Sequence, residues 1–121
     1  MSAKSYRELI VWQKAMDLVE EVYKLTKLLP KEELYALTNQ IRRAVVSIPS
    51  NIAEGNARHT PTEYIRFLTI ARGSKSEVET QLEICLRLNY ISLEQVQTAM
   101  GLCCEVGRML NSMIQKLLPA S

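Results

Sequence analysis

The chain has 121 residues, 47% of them hydrophobic, and a net charge of +2, which predicts a single domain over residues 1–121 and excludes a disordered chain. Only 4 Gly and 4 Pro occur, so long helices are favoured over many short strands. The sequence has no CxxC pair, no run of 18 apolar residues and no N-terminal signal region, and His59 is its single histidine. We therefore expect a cytoplasmic protein with free thiols, no metal, no cofactor and no membrane contact.

Helix one is predicted from about residue 8 to residue 29, where apolar side chains recur at helical spacing in two neighbouring rows. One row consists of Trp12, Met16, Val19, Tyr23 and Thr26, and the other of Val11, Ala15, Leu18, Val22, Leu25 and Leu29. Because this apolar arc is wide, one face is expected to meet the bundle. The other face meets a neighbouring subunit or is buried within the same chain, and the residues favour neither interpretation.

Helix two is predicted from about residue 31 to residue 56, although it contains Pro49. Its apolar stripe keeps its phase past the proline and consists of Leu34, Leu37, Ile41, Ala44, Val45, Ile48 and Ile52. A proline inside a helix costs about 3 kcal/mol, so the retained phase predicts one helix that is kinked near Pro49. The alternative is a helix that stops before Pro49, with Ser50 or Asn51 capping a new turn.

Polar side chains around the proline are expected to serve this kink. Ser47, Asn51 and Glu54 can bond backbone groups that Pro49 leaves free, or neighbouring arginines. Arg43 pairs either with Glu54 of a neighbouring subunit or with phosphate, and both alternatives stay open.

Helix three is predicted from about residue 61 to residue 89. Thr60 suits the N-cap, Pro61 suits the first helical position, and Glu63 completes a capping box. Gly73 interrupts the helix at a cost of about 1 kcal/mol. We expect this glycine to mark the close approach of another helix.

Helix four is predicted from about residue 93 to residue 118, with Ser92 as its N-cap and Gln95 at the capping-box position. Its apolar stripe consists of Val96, Ala99, Cys103, Val106, Leu110, Met113 and Leu117. Four helices with short connections predict an all-α, up-down-up-down four-helix bundle.

Basic residues are concentrated in the middle of the chain. Residues 34–76 carry six basic and two acidic side chains, a balance of +4, and arginine suits planar contacts to phosphate or carboxylate. The candidate nucleic-acid-binding residues are Arg42, Arg43, Arg58, Arg66, Arg72 and Lys75. The alternative is that pairs such as Glu54–Arg58 only solvate a helix face. Tyr64 and Phe67 lie in the same segment and can stack on bases, although core packing is favoured for Phe67.

Three stretches carry a resemblance to a known family: LIVWQKAMDLVEEVYKLT, LTNQIRRAVVSIPSNIAEGNAR and EYIRFLTIARGSKSEVETQL. Together they resemble the four-helix bundle proteins of the 23S rRNA intervening-sequence family, over about residues 6–118. Tyr6 and Glu8 depart from the Phe and Asp that such proteins often have, which affects only the start of helix one.

The resemblance implies a ring-shaped homopentamer without catalytic residues. A similar protein, the accessory variability determinant of diversity-generating retroelements, forms a basic ring that binds nucleic acid and a reverse transcriptase. The function predicted here is accordingly a non-enzymatic oligomeric adaptor that binds RNA or DNA without reading bases. The alternative is a scaffold for a partner protein. A hydrolase is disfavoured because Glu77 and Glu83 do not share a helical face and no nucleophile–base pattern occurs.

Overall fold

A computed structural model describes residues 5–119. Within this range the chain forms four α-helices, α1 (Ile10–Thr26), α2 (Leu37–Asn56), α3 (Pro61–Arg87) and α4 (Leu93–Leu117). Each helix packs against its neighbours in the chain, and α1 also packs against α4. The helices therefore form a closed square, and the predicted all-α four-helix bundle is confirmed. None of these helices is long and apolar enough to span a membrane.

The core consists of the apolar rows that the sequence predicted. Each row comes from one helix and faces the bundle axis, because residues three and four apart share a helical face. A fully buried Leu, Ile or Val side chain contributes about 1.5–3 kcal/mol. The side chains with no more than 1% exposure include Leu18, Val22, Ile41, Val45, Ile48, Ile52, Leu68, Val78, Leu82, Val106 and Leu110.

The second row of α1 stays near the surface. Trp12, Val19 and Tyr23 are partly buried against the core, and Met16 is 37% exposed. A shallow apolar groove runs along this face and is lined by Tyr6, Trp12, Met16, Val19, Val46, Pro49, Ser50 and Ala53. One chain thus leaves part of the apolar arc uncovered.

The first helix is shorter than predicted at both ends, since it begins at Ile10 and ends at Thr26. A separate 3₁₀ turn over Tyr6–Glu8 precedes it, and Ser5 caps that turn by accepting a hydrogen bond from the Arg7 amide. Leu9, the N-cap residue of α1, forms no side-chain cap hydrogen bond with a described residue.

The predicted start of helix two at residue 31 is wrong, because α2 begins at Leu37. Pro30 is extended and opens a 3₁₀ turn over Lys31–Glu33, and Ala36 leaves the helical region with φ −125° and ψ −104°. Glu33 then supplies the cap that α2 needs, since its Oε1 accepts a hydrogen bond from the Leu37 amide over 3.3 Å. The helix therefore starts at Leu37, the residue whose amide the Glu33 carboxylate binds.

The helix continues through Pro49, as the apolar phase predicted. Asn51 Nδ2 donates to the Ser47 carbonyl over 2.8 Å and to Ser47 Oγ over 2.9 Å. Both bonds lie within α2. Neither satisfies the Val45 carbonyl, which lacks its usual backbone donor because residue 49 is a proline. Glu54 pairs with Arg58 of the same chain. The size of the bend at Pro49 stays a prediction.

The predicted helix caps are present with one difference. Thr60 Oγ1 accepts from the Glu63 amide, but the Glu63 carboxylate lies 3.7 Å from Arg66 and does not close the capping box. Ser92 and Gln95 form both halves of theirs.

The third helix ends at Arg87 rather than near residue 89. Asn89 has a φ of 62°, and the Tyr90 amide donates to the Cys85 carbonyl over 2.9 Å. This left-handed residue and the return hydrogen bond are the Schellman pattern that terminates helices.

The expectation for Gly73 is wrong. A Cβ added at Gly73 meets no atom of residues 5–119 within 4 Å, whereas one at Gly55 would lie 2.9 Å from Phe67 Cβ and 3.0 Å from Tyr64 Cδ1. Close helix approach therefore occurs at the end of α2, where α3 turns back along it.

Candidate nucleic-acid interface

Arg42 faces α1. Its Nε donates to Thr26 Oγ1 over 2.9 Å, and its guanidinium carbon lies 4.7 Å from the centroid of the Tyr23 ring. The hydrogen bond and the cation–π contact hold the side chain half-buried between α1 and α2.

Arg43, the next residue, is exposed and faces the opposite neighbour, α3. It borders a polar groove of about 360 Å³ that is lined by Asn39, Gln40, Arg43, Ala44, Ser47, Ser74, Glu77 and Gln81. Within residues 5–119 no ion pair, hydrogen bond or ring contact engages its guanidinium. Its charge is therefore available to a partner.

Two serines join the helices at this groove. Ser47 Oγ and Ser74 Oγ are 2.9 Å apart and share a hydrogen bond, and Ser74 is buried. Further along, Gln81 Oε1 is buried and accepts no hydrogen bond from the described residues. A buried acceptor left without a donor costs about 1–3 kcal/mol.

Arg58 and Arg66 meet at Phe67, where α2 ends and α3 begins. Their guanidinium carbons lie 4.8 Å and 5.1 Å from the ring centroid. Each arginine also has a nearby carboxylate, since Arg58 is 2.6 Å from Glu54 and Arg66 is 3.7 Å from Glu63. The structure brings these two arginines together in a cluster whose formal charge is balanced.

The two aromatic residues of this segment differ in access. Tyr64 is 5% exposed and donates its hydroxyl to Asn56 Oδ1 over 3.2 Å, which excludes it from stacking on a base. Its burial raises the pKa of the Tyr64 phenol. Phe67 is only half-buried, so it packs at the margin of the bundle rather than in the predicted core position.

Arg72 and Lys75 lie on the side of α3 that faces α4. Arg72 Nη1 donates to Asn111 Oδ1 over 3.0 Å. Lys75 Nζ is 3.0 Å from Glu79 Oε1, and its aliphatic chain passes so close to α4 that a Cβ at Gly107 would lie 3.1 Å from Lys75 Cε. Lys75 is therefore largely a packing residue.

The sequence prediction missed Arg108, which is exposed on α4 and forms no ion pair with a described residue. It follows Gly107, the residue against which Lys75 packs, and lies one turn before Asn111, the acceptor for Arg72. Arg108 thus adds a basic side chain to the exposed surface of α4. Its segment, residues 77–121, has three basic and five acidic side chains. Because the net charge of this segment is negative, nothing in the sequence indicated Arg108 as a candidate.

The six candidates consequently form no single patch on one chain. Arg58 and Arg66 converge at one end of the bundle, while Arg72 and Lys75 share the α3–α4 side. Arg42 and Arg43 face opposite neighbours of α2. On the described part of one chain, the six side chains therefore point to different sides of the bundle.

The thiols offer no reactive site in the core. Cys85 and Cys103 are buried and Cys104 is exposed, and all three are free. Burial raises the pKa of Cys85 to about 11 and that of Cys103 to about 12, so both remain protonated near neutrality. The described side chains contain no group of three His, Cys, Asp or Glu that could hold a metal ion.

The model of the 23S rRNA-intervening sequence protein family matches residues 7–112. The chain belongs to this family. The match spans α1, α2, α3 and most of α4, and it includes all the stretches on which the resemblance was based. No curated protein matches the chain.

A solved structure supports the same assignment. It is the crystal structure of a protein with unknown function from the S23 ribosomal protein family of Bacteroides thetaiotaomicron. The two sequences are 28% identical, and the superposition covers 87% of this chain and 98% of that chain with a TM-score of 0.80. The likeness supports the fold and carries no activity.

Proposed function

We propose that the protein is a non-enzymatic, oligomeric adaptor that binds nucleic acid through arginines of α2 and α3. The observation that carries this proposal is that Arg42, Arg43 and Arg72 form no ion pair with any residue in 5–119. No carboxylate within residues 5–119 therefore neutralises their charge. Guanidinium groups bind phosphate oxygens through two parallel hydrogen bonds, which makes such arginines suitable contacts for a nucleic-acid backbone.

Arg58 and Arg66 complete the surface at the end of the bundle. Their pairs with Glu54 and Glu63 are largely exposed, and exposed ion pairs contribute only about 0–1 kcal/mol. A phosphate group can therefore compete with either carboxylate. Before a phosphate binds, the Phe67 ring contacts both guanidinium groups and keeps them close together.

The oligomer is proposed to form through the apolar groove between α1 and α2. Trp12, Met16, Val46 and Pro49 line this groove, and burying it against another copy of the chain would remove apolar surface from water. In a ring, each copy of the chain would add its own unneutralised arginines, so the assembly would have a stronger positive electrostatic potential than one chain. The homopentamer implied by the family resemblance is the assembly that we expect.

The proposal is tested by fluorescence anisotropy with labelled RNA and DNA at several salt concentrations. We expect affinity to fall linearly on a logarithmic scale as salt rises, because phosphate binding releases counterions. The double variant Arg43→Gln/Arg72→Gln and the double variant Arg58→Gln/Arg66→Gln should each bind more weakly and with a shallower salt slope.

The matched control is Arg87→Gln/Lys116→Gln, which removes the same charge from exposed positions outside the proposed surface and outside the groove proposed for the oligomer. Equal weakening by this control would reject the site and leave only non-specific attraction. Absence of binding at low salt would reject the function itself. Analytical ultracentrifugation of the wild-type chain measures the subunit number, and a monomer would reject the ring.

The scaffold alternative is favoured by one observation, the apolar side chains exposed at the opposite end of the bundle. Tyr35 is 91% exposed and Leu93 is 73% exposed, and both lie in or beside the loops at that end. A pull-down that recovers one defined protein after nuclease treatment, and loses it in the variant Tyr35→Ser/Leu93→Ser, would support the scaffold function.

A further inference from the structure

The groove between α2 and α3 is lined by Arg43 and Glu77, neither of which forms an ion pair with another described residue. Ser47 and Ser74 touch across the two helices, and consecutive helices with a short connection run antiparallel. One turn back from Ser47 lies Arg43, and one turn on from Ser74 lies Glu77. These two charged side chains therefore border the same level of the groove, yet no ion pair joins them.

The next level of the groove is lined by amides. Asn39 and Gln40 lie one turn before Arg43, and Gln81 lies one turn after Glu77. Each amide offers both donors and an acceptor. Gln81 Oε1 is an acceptor whose donor is missing among the described residues. The combination of a guanidinium, a carboxylate and amides matches the chemistry that proteins use to contact phosphates and base edges.

We propose that this groove binds unpaired bases, so that the nucleic acid bound is single-stranded. The inference rests on the proposed function and adds to it that bases are read. Arg43 contacts a phosphate, while the exposed Glu77 carboxylate accepts hydrogen bonds from exocyclic amino groups on the Watson–Crick edge. In a duplex the Watson–Crick edge is already paired, and the base edges that remain lie inside the grooves of the double helix. The Glu77 carboxylate, seated in a groove of the protein, would therefore meet the backbone phosphates first, and these repel it.

This chemistry favours cytosine and adenine over uracil. Cytosine and adenine present an amino group to an acceptor such as a glutamate. Uracil instead flanks its single N–H with two carbonyl oxygens, which repel a carboxylate. The acceptors of the groove therefore discriminate against it.

The test is fluorescence anisotropy with labelled single-stranded oligomers of cytidine, adenosine or uridine, and with a duplex of equal length, at one low salt concentration. We expect the cytidine or adenosine strand to bind about 5-fold or more tightly than the uridine strand. Glu77→Gln should reduce the preference for cytidine over uridine. Glu83→Gln is the matched control, because it removes the same charge from the same helix outside the groove, and it should leave the preference unchanged.

The outcomes separate the two proposals. Equal affinity for all single strands and the duplex would overturn the base-binding groove and leave the adaptor function intact, as would a preference that Glu77→Gln does not change. A failure to bind any of these probes would overturn the adaptor function and the groove with it. Circular dichroism melts of both variants verify that the bundle is folded.

Discussion

Tyr90 Oη donates a hydrogen bond to Glu33 Oε2 over 2.8 Å, and this contact joins the loop after α3 to the segment before α2. The other oxygen of the same carboxylate caps α2 through the Leu37 amide. Glu33 thus sets the start of a helix and the position of a distant loop with one side chain. Its two contacts explain why α2 begins where it does.

Replacing Tyr90 with Phe should lower the thermal midpoint, since the Glu33 carboxylate loses its phenol donor and with it part of its orientation. Differential scanning calorimetry measures the change. Tyr35→Phe is the control, because Tyr35 is 91% exposed and its hydroxyl makes no described contact. Equal midpoints for the two variants would contradict a structural role for the Tyr90–Glu33 bond.

The same contact predicts a loss of stability at alkaline pH. The hydrogen bond to the Glu33 carboxylate raises the pKa of Tyr90, because it favours the neutral phenol. A raised pKa in the folded state contributes stability that is fully present below the ordinary tyrosine pKa of about 10 and is lost as pH rises through the folded value. Urea unfolding of the wild type and Tyr90→Phe across this range should show a steeper decline for the wild type. Parallel declines would exclude the contribution.

Two glycine substitutions should have opposite effects. Gly55→Ala places a Cβ 2.9 Å from Phe67 Cβ and should destabilise the protein by about 1–3 kcal/mol through overpacking. Gly73→Ala meets nothing within 4 Å and should stabilise it by about 0.5–1 kcal/mol, since alanine is the better helix former. Urea titration measures both, and a neutral Gly55→Ala would show that α2 and α3 yield easily at their junction.

The cysteines should differ in reactivity. Burial raises the pKa of Cys85 and Cys103 to about 11 and about 12, whereas Cys104 is exposed. Iodoacetamide at mildly alkaline pH should therefore modify Cys104 alone in the native protein and all three thiols in urea. Peptide mass spectrometry locates the label. Rapid native labelling of Cys103 would indicate that α4 opens locally.

The serine pair should be energetically coupled. Ser47→Ala and Ser74→Ala each remove one side of the 2.9 Å hydrogen bond, so the double variant should lose about 0.5–1.5 kcal/mol less than the sum of the single losses. The free energies come from urea unfolding of the four proteins in a double-mutant cycle. Strict additivity would show that the two hydroxyl groups do not depend on each other.

Local patterns predicted the fold well because they act within one helix. The apolar phase on either side of Pro49 correctly indicated a continuous α2, and Thr60 and Ser92 marked the starts of α3 and α4. The start of α2 was predicted wrongly because it depends on a contact from outside the helix. Its cap comes from the Glu33 side chain across a 3₁₀ turn, and helical spacing alone extended the helix back to residue 31.

The candidate site was harder to predict, because sequence proximity does not determine which way a side chain points. Arg42 and Arg43 are adjacent in sequence yet face α1 and α3 respectively. Glu77 and Gln81 showed no functional pattern of their own, and their relation to Arg43 arises from the packing of α2 on α3.

The closed square of helices has a consequence for the order of folding. Three of its four seams join helices that follow each other in the chain, and only the seam between α1 and α4 closes a long loop. Contacts between chain neighbours form quickly, whereas the long closure carries the larger entropy cost. Alanine substitutions in the α1–α4 seam should therefore accelerate unfolding while changing the refolding rate little. We therefore expect the seam between the first and last helices to form last in folding.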